Sequence, residues 1–148
     1  MTKVAAIQMV STPVVTENIE TARRLIDEAA GKGADLVLLP EYWPSIGHSD
    51  AERLQHAEVY GNGPIQDFMA ETARKNGIWL IGGTLSLVSR EPGKVKNSCL
   101  VYNDKGENAA RYDKIHLFGF STARESYDES LAICGGDEVV TFDAPFGK

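Results

Sequence analysis

Asp35-Leu36-Val37-Leu38-Leu39-Pro40-Glu41 is a short apolar run without polar alternation, closed by Pro-Glu. A run too short for a helix and apolar throughout suits a strand inside a sheet covered on both faces. Its end delivers a carboxylate, Glu41. Upstream, residues 4–9 form another apolar run, broken by Gln8 and closed by Ser11-Thr12-Pro13. Between the two, Ile19, Ala22, Leu25, Ile26, Ala29 and Ala30 recur at spacings of three and four. That period predicts a helix with one buried face, capped by Thr16 and ended by Gly31 and Gly33. Strand, helix and strand in succession specify the α/β class.

Downstream, Ser49-Asp50-Ala51-Glu52 fits a capping box that opens a helix through about residue 59. Gly61-Asn62-Gly63-Pro64 breaks the chain before a second helix over 65–75, which Asn76-Gly77 stops. Ile78-Trp79-Leu80-Ile81-Gly82-Gly83-Thr84 reads as a buried strand whose glycines allow close backbone approach, with 85–88 as its continuation. Strands over 98–102 and 109–112 flank Asn103-Asp104-Lys105-Gly106, the turn of a hairpin. A last strand is expected over 139–142. Asp143-Ala144-Pro145-Phe146-Gly147-Lys148 then reads as a turn that feeds a further strand, so 1–148 is expected to be the N-terminal part of a single domain, truncated before its end.

Composition narrows the function classes. With 148 residues, 43% hydrophobic and 24% charged, the chain suits one globular domain, without repeats or linkers. A net charge of -6, with the 15 Lys and Arg scattered, offers nothing to hold a phosphate backbone, so no nucleic-acid partner is expected. No stretch approaches the ~20 apolar residues of a membrane span, and Met1-Thr2-Lys3 leads straight into a strand, so no membrane is expected and a cytoplasmic location is. Cys99 and Cys134 are too few for a disulfide framework and lack the spacing of a zinc site. No metal or cofactor is implied.

Four places in the chain carry a resemblance: Ala6-Ile7-Gln8-Met9, Leu38-Leu39-Pro40-Glu41, Gly82-Gly83-Thr84 and Arg111-Tyr112-Asp113-Lys114-Ile115-His116-Leu117-Phe118. In order and spacing these resemble the nitrilase superfamily of carbon-nitrogen hydrolases, which implies a four-layer αββα sandwich. Asn97-Ser98 and Phe118-Gly119-Phe120 leading to Glu129 are most similar to the branch acting on deaminated glutathione and related ω-amides. The resemblance implies a small carboxamide substrate, a homodimer or larger homo-oligomer, and a Glu-Lys-Cys triad. In that mechanism Glu41 is the general base, Lys114 stabilises the tetrahedral intermediate, and Glu129 supports Lys114, with Glu125 a near alternative. The family's Cys is expected roughly six positions beyond Lys148, after a Pro-Phe-Gly turn.

The bland readings stand beside these. Cys134 and Cys99 are core or loop thiols rather than nucleophiles. His116 lies two positions past Lys114 and would share its side in an extended segment, yet reads as a structural histidine bonded to backbone. Tyr42 and Trp43 either line the pocket or pack. Arg124 is either a partner for a substrate carboxylate or an exposed loop residue. His48 and His56 read as solvated helix flanks.

Overall fold

The computed structural model describes residues 1–46 and 50–147. In it the first apolar run becomes β1 (Val4–Ala6) and the run ending in Glu41 becomes β2 (Leu36–Leu38), joined by α1 (Val15–Gly31). The two strands pair in parallel, Ala5 opposite Val37. α1 buries Ala22, Ile26 and Ala29, the predicted face. Its start differs from expectation: Val14 holds the cap position without a side-chain bond, and Thr16 lies inside the first turn. Asn18 organises the entry instead. Its side chain accepts from the Thr12 N–H at 2.9 Å and donates to the carbonyls of Thr12 at 2.7 Å and Pro44 at 2.9 Å.

α2 (Asp50–Gln55) and α3 (Pro64–Asn76) follow. Ser49 of the expected capping box lies outside the described residues. α2 stops before 59 because the next segment joins the sheet. The Glu58 N–H donates to Ser86 O, and Glu58 O accepts from Val88 N. The Glu58 carboxylate is buried and accepts from the backbone N–H groups of Ile65 at 2.6 Å and Gln66 at 3.1 Å. It thereby satisfies donors that every helix leaves free at its N-terminus. Gly77, left-handed at φ 61°, closes α3 as expected.

β3 (Trp79–Ile81), β4 (Leu85–Val88), β5 (Val95–Tyr102) and β6 (Asn108–Asp113) complete the main sheet. β3 lies parallel to β2 and antiparallel to β5, and β5 pairs antiparallel with β6 through the predicted hairpin. β4 continues β3 along the same edge of β5, but Ile81 faces Val101 while Leu85 faces Ser98. Four steps on one strand against three on the other make a bulge at Gly82-Gly83-Thr84. The extra residue reverses the alternation, so Leu85 and Leu87 reach the same core as Leu80.

α1 and α3 cover one face of the sheet, packing Ile26, Phe68, Met69 and Ala73 against Val37, Leu39, Leu80 and Leu100. The described residues thus form one α layer and one β layer of the αββα arrangement. On the opposite face Leu38 stays part-exposed, and Trp79 stacks on Phe142 at 5.7 Å and meets Phe146 edge-on at 5.9 Å. The strand expected over 139–142 does not form. No described strand lies beside it to exchange backbone hydrogen bonds, Val139 is 87% exposed, and the segment is held through its aromatic residues instead. A hairpin absent from the sequence reading does form: β7 (Gly119–Ser121) pairs with β8 (Ser126–Asp128), leading to a 3₁₀ turn over Glu129–Leu131.

Candidate active site

β2 and β6 run in the same direction, because β3 is parallel to β2 and two antiparallel pairings separate β3 from β6. Glu41 follows β2 and Lys114 follows β6, so both emerge at the same end of the sheet, where α/β sheets place their ligands. The antiparallel β5 brings Asn97, near its start, to this end as well. The Asn97 carbonyl accepts from the Lys114 N–H at 2.9 Å, anchoring the lysine as it leaves the sheet.

The charged groups converge on Lys114 Nζ. It lies 3.2 Å from Glu41 Oε1 and 2.9 Å from Glu129 Oε2. Asn97 Nδ2 donates to the same Glu41 Oε1 at 2.9 Å. Glu129, only 4% exposed, also takes the Phe118 N–H on Oε2 at 2.8 Å and the Tyr42 hydroxyl on Oε1 at 3.2 Å. The base of the β7–β8 hairpin supplies that geometry, since the Glu129 N–H returns a bond to Phe118 O at 2.9 Å. Glu125, the alternative, sits at the exposed hairpin tip with Thr122, whose N–H donates to Glu125 O at 2.8 Å. It is Glu129 that pairs with Lys114.

Burial opposes charge on Glu129, but the Phe118 N–H, the Lys114 ammonium and the Tyr42 hydroxyl outweigh it and hold the carboxyl below the ordinary glutamate range. Burial likewise opposes charge on Lys114, and the bonds and charges of Glu129 and Glu41 reverse the balance, keeping the ammonium above the ordinary lysine value. Lys114 is therefore a fixed cation at neutral pH. Glu41 is the accessible member of the cluster, its side chain 51% exposed. The arrangement offers a half-open carboxylate for proton transfer beside a held positive charge, the requirement for stabilising a developing oxyanion.

Gly82-Gly83-Thr84 shapes the turn that carries Glu41. A Cβ on Gly83 would lie 1.9 Å from Pro40 O, so only glycine permits this approach, at φ 54°. Thr84 N donates to Pro40 O at 3.4 Å, and Thr84 Oγ1 accepts from the Tyr42 N–H at 2.9 Å. Trp43 packs rather than lining a pocket: it is 0% exposed, meets the Phe68 ring at a tilt with centroids 5.6 Å apart and donates its indole N–H to Gly82 O at 2.8 Å.

The remaining candidates lie apart. His116 is exposed in a bend rather than an extended segment, and it has no hydrogen bond with the described residues; the expected backbone partner is absent because the chain leaves β6 at Asp113. Arg124 is exposed at the β7–β8 tip. His56 is half-buried rather than solvated, and His48 lies outside the described residues. Cys99 faces Tyr112 across the sheet, and burial pushes its thiol up to about 11. Cys134 contacts Glu91 Oε1 at 2.9 Å, and that carboxylate raises its thiol, the reverse of what a nucleophile needs. Among the described residues no group of three His, Cys, Asp or Glu side chains is placed to hold a metal ion, and no helix is long and apolar enough to cross a membrane. Sequence reasoning quoted Asn97 within the family resemblance but did not name it as a site residue; it is 1% exposed in β5, between Lys96 and Ser98, and no local pattern singles it out.

Glu41 and Lys114 thus leave an α/β sheet at one end, where Glu129, following the β7–β8 hairpin, joins them. The chain belongs to the carbon-nitrogen hydrolase family, whose model matches residues 3–148. It is 33% identical to Omega-amidase NIT2-A of Xenopus laevis, over 99% of this chain and 52% of that protein. It is 32% identical to the deaminated glutathione amidase of Yersinia enterocolitica, over 98% of this chain and 51% of that protein. Nit3 of Saccharomyces cerevisiae, a member of branch 10 of the nitrilase superfamily, superposes with a TM-score of 0.83 at 27% identity, covering 99% of this chain and 52% of that one. The fold is thus of the nitrilase type, and the chain spans about half the length of the curated relatives it matches.

Proposed function

We propose that these residues serve an amidase that hydrolyses a small carboxamide, of the ω-amide or deaminated-glutathione kind, to a carboxylate and ammonia. The observation that carries the reading is Lys114 Nζ held between Glu41 at 3.2 Å and Glu129 at 2.9 Å. Glu41 takes the proton of a cysteine thiol supplied from outside residues 1–148, and the thiolate attacks the carbonyl carbon. The oxyanion that forms lies against the Lys114 ammonium. Collapse breaks the C–N bond, and the proton on Glu41 leaves with the nitrogen as ammonia. Glu41 then takes a proton from water, whose oxygen attacks the thioester; the C–S bond breaks, the thiolate recovers that proton from Glu41, and the acid gives its remaining proton to ammonia or solvent as it departs as the carboxylate. Glu129 keeps Lys114 charged and in place. The names of the two amidase relatives support the substrate class, and the nitrilase-type fold supports the chemistry.

The test is ammonia release by the protein carrying these residues together with that cysteine. ω-Amides and deaminated glutathione are compared with N-carbamoyl amino acids and nitriles. Turnover of carboxamides, reduced at least ~10²-fold by Lys114→Ala, is the expected result. Turnover confined to N-carbamoyl compounds or nitriles would transfer the reading to those substrates. Binding without turnover would make this a non-catalytic relative.

A further inference from the structure

Among the described residues Tyr42 is the one non-glycine residue in the left-handed region, at φ 55°. An aromatic side chain in that conformation is strained, and strain of this kind persists only where the surroundings over-determine it. Here they do. The Tyr42 N–H is bonded to Thr84 Oγ1, the preceding turn is pressed against Gly83, and the following Trp43 is locked into the core by its bond to Gly82 O. The conformation sends two adjacent side chains to opposite ends of one ion-pair chain. Glu41 meets Lys114 on one side, while the Tyr42 phenol reaches Glu129, 87 positions later, on the other.

The division of bonds on Glu129 gives this contact its meaning. Oε2 is committed to Lys114 Nζ and to the Phe118 N–H. Oε1 takes the Tyr42 hydroxyl at 3.2 Å. A carboxylate held through one oxygen can still swing about its Cγ–Cδ bond, and a donor on the second oxygen removes that freedom. We propose that Tyr42 is a positioning residue of the site: its hydroxyl fixes the rotation of Glu129, so that Oε2 keeps Lys114 seated beside Glu41. This deepens the amidase reading, and its geometric core rests on the hydrogen bonds alone. The strained backbone at residue 42 is then the means by which one turn delivers both the half-open carboxylate and the brace for its lysine. Removing the hydroxyl leaves the ring and the turn in place but takes one donor from a carboxylate whose burial already opposes its charge.

The experiment follows the Glu129 carboxyl carbon by NMR through a pH titration, the resonance being assigned from its loss in Glu129→Gln. In Tyr42→Phe the midpoint is expected to rise by about half to one pH unit, the scale of one neutral hydrogen bond to a carboxylate. Thr84→Val, which frees the Tyr42 N–H, shifts it the same way by less, and Thr84→Ser restores the wild-type midpoint. A structural role alone would move melting and leave the midpoint where it is. In the active protein Tyr42→Phe lowers kcat by roughly 2- to 10-fold with KM nearly unchanged. An unchanged Glu129 midpoint in a folded Tyr42→Phe overturns the proposal even if amides are hydrolysed normally. A shifted midpoint upholds it even if no amide is turned over, an outcome that counts against the amidase reading instead. Should Tyr42→Phe not fold, the Thr84 pair decides, and equal midpoints in Thr84→Val and Thr84→Ser refute the brace.

Discussion

Replacing Lys114 by Met would keep the length of the side chain and delete the cation between two carboxylates. Glu129 bears most of the consequence, because it is 4% exposed and burial is the largest influence on its titration, opposed by the Phe118 N–H, Lys114 and Tyr42. Stranding one member of a buried pair typically costs about 3–5 kcal/mol. The two donors that remain, together with proton uptake by Glu129, hold the loss to about 2–3 kcal/mol. Glu41 adds little, since water reaches its half-exposed side chain. With a urea m-value of about 1.5 kcal/mol per molar, the midpoint should fall by about 1.3–2 M at pH 7. Tryptophan fluorescence from Trp43 and Trp79 reports the transition. The same substitution in a Glu129→Gln background should cost less than about 1 kcal/mol, because the amide needs no counter-charge. The gap between Lys114→Met and wild type should narrow as pH is lowered, because Glu129 in the variant, without its cation, takes up its proton before the wild-type carboxylate does. An equal loss in both backgrounds would refute the view that Lys114 stabilises the chain by neutralising Glu129.

Three further outcomes are expected. Glu129 titrates below its ordinary value of 4.5, so its share of stability is complete above that pH and lost as pH falls through the lowered value; Lys114 titrates above 10.5, so its share is complete below that pH and lost as pH rises through the raised one. Urea midpoints measured across pH should therefore show a plateau between these limits, with a shallower acid limb in Glu129→Gln. Gly83→Ala places a methyl group against Pro40 O in a left-handed conformation and should cost more than about 2 kcal/mol, seen as a lowered melting temperature, with turnover falling because Glu41 is displaced. Asn97→Leu removes the donor to Glu41 Oε1 while filling the same space, and should cut amide turnover about 10-fold or more with little loss of KM; wild-type kcat would remove Asn97 from the positioning of Glu41.

Local pattern carried most of the architecture. Apolar runs ending in Pro13 and Pro40, a helix of period three to four between them, and Gly77 at the close of α3 all settle within a few residues of chain. Glu41, Lys114 and Glu129 were legible as candidates only through the resemblance of their motifs, in order and spacing, to the nitrilase superfamily. Other features depend on neighbours distant in sequence. Residues 139–142 have a strand's composition, but a strand exists only where another backbone can pair with it. β7 and β8 are only three residues each, and their pairing rests on the turn at Thr122 and on the contact between Phe118 and Glu129. Glu58 lies only a few positions before Pro64, but its carboxylate caps α3 because the backbone of residue 58 is pinned to Ser86 and Val88 of β4.

By itself, then, the sequence determined the α/β class and the order of the main elements, because propensity, period and turn chemistry act over short stretches; the charged residues of the candidate site came instead from the resemblance to the nitrilase superfamily. Only the tertiary structure decided which of Glu125 and Glu129 meets Lys114, that Tyr42 braces while Trp43 packs, and that Asn97 shares an oxygen of Glu41 with the lysine. Those choices turn on distances of about 3 Å between atoms brought together by separate strands, and such distances follow from sheet register, the bulge at Gly83 and the strained turn at Tyr42.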